Sequence, residues 1–133
     1  MTDPLDKLIV DEEKSPNLET LANSVNGYLR VSKQGTILYD KTFHKLPNNK
    51  KVLLYLLARK IISIKGLREN FTEGIKSNSI GEEIGVEYKD VRTYLSGHLK
   101  GVVKNDNGLW FIPNYNLHKC EEMMKNDKTK RSN

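Results

Sequence analysis

Five stretches of the chain carry apolar residues at helical spacing, and two short runs among them carry β-formers around a glycine turn. Leu18, Leu21, Ala22, Val25 and Leu29 follow Asn17, whose side-chain oxygen can accept from the first exposed amides, and predict a helix reaching about residue 28 or 30. Residues 31–39, with Gly35 at the turn and branched residues after it, predict a small hairpin. Pro47 closes that region and Asn48 is the expected cap of a helix over 51–64. Its apolar residues surround most of the circumference, so it should be enclosed by the rest of the fold. Gly66 ends it, and Leu67, Phe71 and Ile75 should pin the connection that follows to the core.

From Ser77 the pattern tightens. Ser77 is the expected cap of a short helix with Ile80 and Ile84 four residues apart, and Gly85-Val86 makes a turn into a second helix over 87–100. Val91, Leu95 and Leu99 lie along one face of that second helix. Gly81 lets the two backbones approach closely, which is helix-turn-helix geometry. Gly101 breaks the second helix. Val102-Val103-Lys104 and Leu109-Trp110-Phe111-Ile112 then flank Asn105-Asp106-Asn107-Gly108, a strong hairpin signal. Trp110 should pack inward. Pro113 ends the hairpin and Asn114 should cap a last helix to about Lys125, whose apolar positions are Leu117, Cys120, Met123 and Met124. The fold expected is mainly α with small β-hairpins: one domain over 17–125, a disordered acidic arm at 1–16 and a disordered basic tail at 126–133.

The string Ile80-Gly81-Glu82-Glu83-Ile84-Gly85-Val86, then Val91, Leu95, Gly101-Val102-Val103 and the Asp106-Asn107-Gly108 turn, resembles the winged helix-turn-helix family. That family is seen in many bacterial and archaeal transcription regulators. The resemblance covers 48–112, with an extra N-terminal helix and strand and a C-terminal helix outside it. Two departures stand out: His98 occupies a usually apolar position, and the break at Gly101 comes about one residue early. The family implies that helix 87–100 enters the major groove of double-stranded DNA while the wing, 102–112, touches the backbone. Arg92 is then the candidate base contact, because a planar guanidinium matches both acceptors of a guanine edge. Lys89, Lys100 and Lys104 become candidate phosphate partners, and Thr93 and Ser96 can serve either purpose. A transcription regulator is the expected function; the alternative is a winged helix used to dock protein.

Charge fits that expectation unevenly. The net charge is +5 and the pI about 9.2. Residues 1–16 carry a balance of −3, leaving +8 on the remainder, which favours a polyanionic partner. On the helix and wing themselves, Lys89, Arg92, Lys100 and Lys104 face Glu87, Asp90 and Asp106, a small excess.

With 37% hydrophobic residues and a mean hydropathy of −0.62, no apolar run approaches the roughly 20 residues of a membrane span. The acidic first residues do not read as a signal peptide, so a cytoplasmic protein is expected. Cys120 is the single cysteine, which excludes an intrachain disulfide. His118 and Cys120 project in different directions from one helix, and no second pair has suitable spacing, so no metal or other cofactor is expected. No motif of an enzyme is recognisable. Tyr115, Leu117, Cys120, Met123 and Met124 offer more apolar surface than a terminal helix needs, and predict a homodimer through that helix.

Overall fold

The computed structural model describes residues 4–5 and 15–132, with side chains as far as Lys125. Most of the acidic arm, 1–3 and 6–14, therefore lies outside the described residues. The chain is mixed α and β, mostly helical, with two small antiparallel hairpins. Among the described residues, no helix is long and apolar enough to cross a membrane.

Helix α1 (Leu18–Val25) starts where Asn17 Oδ1 accepts from the Thr20 amide at 3.0 Å. It stops short of the expected end. The Asn26 amide closes the last turn on Ala22, Gly27 takes φ +88, and Leu29 and Arg30 enter a strand instead. That strand, β1 (Leu29–Val31), pairs with β2 (Ile37–Tyr39) across the Gly35 turn. A four-residue helix, α2 (Lys41–His44), then buries Phe43; the apolar pattern did not announce it.

Helix α3 (Asn48–Lys65) is the centre of the fold and touches α1, β1, α4 (Ser77–Ile84) and α5 (Tyr88–Ser96). Seven consecutive residues, Val52 through Ala58, are buried, so the helix is enclosed as its composition requires. Gly66 ends it with φ +60, a left-handed stop. Gly85 ends α4 in the same way at φ +71. Asn48 and Ser77 are not caps. Each falls one residue inside its helix, because the residue before it, Pro47 or Lys76, takes the extended conformation that marks the boundary.

Helix α5 ends at Ser96, four residues before its expected end. Gly97 leaves helical geometry, and the Leu99 amide reaches back to Tyr94 O at 2.8 Å. The wrapped turn still delivers Leu99 into the core and leaves His98 exposed. Val102 closes the turn on Leu99, so the next strand, β3 (Lys104–Asp106), starts two residues later than expected. It pairs with β4 (Leu109–Phe111) through Asn107 at φ +54 and Gly108 at φ +86, the paired positive values a tight hairpin turn needs.

Asn114 is not a cap either. It opens a 3-10 turn (Asn114–Asn116) behind Pro113, and α6 (Leu117–Ser132) follows. The helical backbone thus runs through most of the segment expected as a disordered tail. The apolar face of α6 is used within the chain. Leu117, Cys120 and Met124 are buried, Met123 packs against the same core, and α6 lies on α1. Tyr115 is half-buried. Leu117, Cys120 and Met124 are therefore consumed within the chain, while Tyr115 and Met123 keep part of their surface exposed.

The hairpin is held in place from behind. Ile75, in the connection before α4, exchanges both backbone hydrogen bonds with Trp110 of β4, at 3.0 and 2.8 Å. Arg59 of α3 donates to the carbonyls of Thr72 and Glu73, at 2.6 and 2.9 Å. Its neighbour Lys60, only 3% exposed, places its ammonium 2.8 Å from Asn114 Oδ1 and 2.9 Å from Glu73 Oε2. The second contact lies off the hydrogen-bonding direction, so that oxygen has an ion pair but no hydrogen bond. Asn116 Nδ2 donates to Val102 O at 3.0 Å and joins the two chain segments that flank the hairpin.

A Cβ at Gly81 would stand 2.5 Å from the Val86 carbonyl oxygen. Gly81→Ala gains about 1 kcal/mol in helix propensity but forces two backbones apart, so urea unfolding should show a net loss of about 1 to 2 kcal/mol. Replacing both charges together, Lys60→Met with Glu73→Leu, should fall within about 1 kcal/mol of the parent, whereas Glu73→Leu alone, which strands a buried ammonium, should cost about 3 kcal/mol. Equal losses in the two variants would contradict the account of Lys60.

Candidate nucleic-acid interface

Helix α5 buries Val91 and Leu95 and turns Lys89, Arg92, Thr93 and Ser96 to solvent. The outward face is partly organised by itself. Arg92 Nη1 donates to the Tyr88 hydroxyl at 2.9 Å, and its guanidinium carbon stands 5.5 Å from the centre of the Tyr88 ring. Tyr88 is 47% exposed, so its ring serves as a platform for the arginine and covers little core. Among the described residues Arg92 makes no ion pair with Glu87 or Asp90. Thr93 donates its hydroxyl to Lys89 O at 3.0 Å and Ser96 to Arg92 O at 2.8 Å. Both hydroxyls therefore present acceptor lone pairs outward.

Across from this face stands the β3–β4 hairpin. Between them lies an open groove of about 600 Å³, lined by Tyr88, Arg92, Thr93 and Ser96 on one side and Asn105, Gly108 and Trp110 on the other. Asn105 is held by its own turn, since its Oδ1 accepts from the Gly108 amide at 2.9 Å. Trp110 is half-buried: it packs against the core and also lines the groove. A second open hollow continues from Tyr88 and Gly108 to Lys76 and Asn78 at the start of α4.

The six expected DNA contacts do not share one surface. Lys89, Arg92, Thr93 and Ser96 share one face. Lys100 is exposed in the turn after α5 and does not line the groove. Lys104 is opposite Phe111 in the register and lines a different hollow with Lys60, Glu73 and Tyr115. It therefore sits on the hairpin face turned away from α5, and a role in this groove does not fit it.

Tyr88, Asn105 and Ser77 line the groove without having been expected there. Tyr88 was detectable, since it precedes Arg92 by four residues, the spacing at which helical side chains meet. Asn105 was detectable from strand parity, because neighbouring residues face opposite sides. Ser77 left no such signal.

His118 is exposed while Cys120 is fully buried, so the two do not share a site. Burial pushes the Cys120 thiol from 9.0 up to about 12. At pH 8 that shift lowers the thiolate fraction roughly a thousandfold. The folded protein should therefore resist iodoacetamide at pH 8 and react promptly once unfolded in urea, as mass spectrometry can record.

No family model, curated protein or solved structure matches this chain.

Proposed function

We infer that the chain is a DNA-binding transcription regulator of the winged helix-turn-helix kind, with α4 and α5 as the helix pair and the β3–β4 hairpin as the wing. The observation that carries this reading is the outward face of α5. It holds a guanidinium upright on Tyr88, free of any carboxylate partner among the described residues, beside an open groove bounded by a projecting hairpin. In this reading α5 lies in the major groove, Arg92 meets a guanine edge, and Thr93 and Ser96 accept from base amino groups. Lys89 and Lys100 contact phosphates.

A second reading has an observation of its own. Among the described residues, the groove places the exposed Tyr88 ring and half-buried Trp110 beside a single cation, Arg92, a composition that also suits docking of a protein segment.

Gel shifts on random duplex DNA at low and moderate salt separate the two. Released counterions make duplex affinity fall steeply with salt, whereas an apolar docking face responds little. Absence of duplex binding at low salt would transfer the conclusion to the second reading. On a selected duplex, Arg92→Ala should relax preference at one base position by about 1 to 3 kcal/mol, while Lys89→Ala should weaken all sequences alike.

A further inference from the structure

A second concentration of chemistry lies beside α3, between the first hairpin and α4. Tyr55 and Arg59 of α3 meet Ile37 and Tyr39 of β2, Arg68 of the connection and Glu83 of α4 around a cavity of about 140 Å³. Ile62 completes the apolar wall.

The two arginines are gathered on one ring. Arg59 and Arg68 place their guanidinium carbons 4.5 and 5.5 Å from the centre of Phe71. Neither is within ion-pair distance of a carboxylate among the described residues. Both are held by part of their donor set. Arg59 uses Nε and Nη2 on the Glu73 and Thr72 carbonyls, and its Nη1 makes only a long 3.4 Å contact with the Tyr55 hydroxyl. Arg68 uses Nε on Gly35 O at 2.8 Å, which leaves both Nη groups for another acceptor. Burial pushes both phenols, Tyr39 and Tyr55, above the ordinary tyrosine range, so both stay protonated donors.

Two cations brought together with two phenolic donors favour an anion, and Glu83 at the exposed rim sets its charge. Two guanidinium groups against one carboxylate leave a single positive charge, which suits a monoanion better than a phosphate or sulfate dianion. The size is informative too, since an engineered cavity of about 150 Å³ in another protein holds one benzene molecule. Ile37 and Ile62 supply an apolar wall for a ligand body of that kind.

We propose that this cavity binds a small monocarboxylate with an apolar body, its carboxylate facing Arg59, Arg68 and the tyrosine hydroxyls and its body lying on Ile37 and Ile62. The site does not depend on the DNA-binding reading and is tested without DNA.

Sodium benzoate is the probe, followed by isothermal titration and thermal unfolding of the full chain, with sodium sulfate and sodium chloride at matched ionic strength as comparators. Benzoate should give a saturable heat and a rise in Tm that levels off with concentration; chloride should give neither, and sulfate, which stabilises folded proteins non-specifically, should give no saturable heat. Arg68→Gln should weaken benzoate about tenfold, with Arg68→Lys recovering part of the loss. Tyr39→Phe, which keeps the ring and drops one donor, should weaken it less and covers the case in which the Arg68 variant fails to fold. No saturable response to benzoate at tens of millimolar would overturn the proposal. So would sulfate binding as tightly as benzoate, or benzoate binding unchanged in folded Arg68→Gln and Tyr39→Phe.

Discussion

A buried ammonium governs how the two halves of the molecule meet. Lys60 sits on the central helix at 3% exposure, and removing such a charge from water costs several kcal/mol unless partners offset it. Neither partner lies on α3: Glu73 belongs to the connection before α4 and Asn114 to the chain just after β4. The charge is therefore satisfied only when both segments are in place. Arg59 acts alongside it through the Thr72 and Glu73 carbonyls, and Ile75 then bonds to Trp110. The position of the hairpin relative to α5, and so the groove between them, follows from this set of ties.

Local chemistry was legible in the chain wherever one residue decides a conformation. The Asn17 cap, the left-handed stops at Gly66 and Gly85, the close approach at Gly81 and the Asn107-Gly108 turn all appear as read. Three further expected caps, Asn48, Ser77 and Asn114, fail for a shared reason. The preceding residue, Pro47, Lys76 or Pro113, already supplies the extended boundary, so the helical or 3-10 segment begins at the expected cap itself. What an apolar pattern cannot state is the partner it packs on. The stripe of Leu117, Cys120 and Met124 read as surplus because nothing local reveals that it is consumed in the shared core, with α6 lying on α1.

The candidate interface was legible to the same depth. Four-residue steps correctly separate Val91, Leu95 and Leu99 from Lys89, Arg92, Thr93 and Ser96. Lys104 and Asn105 are adjacent in sequence, yet strand parity sends them to opposite faces of the hairpin, so only Asn105 lines the groove. The arginine cluster on Phe71 was beyond reach, since Arg59, Arg68 and Phe71 lie on two different segments and only tertiary packing unites them.

The modest charge on α5 bears on how a DNA-binding face of this kind would work. Long-range attraction from Lys89 and Arg92 is partly cancelled by Glu87, at the N-cap of α5, and by Asp90, so in the proposed role local geometry would carry more of the recognition. Arginine carries about 2 kcal/mol of rotamer entropy. Stacking and hydrogen bonding to Tyr88 remove part of that freedom before any partner arrives, which lowers the ordering cost of binding. Thr93 and Ser96 are likewise committed as donors to their own helix and face outward as acceptors. On the proposed reading, a donor fork held on Tyr88 beside two oriented acceptors would discriminate among base edges by position more than it would attract phosphate by charge.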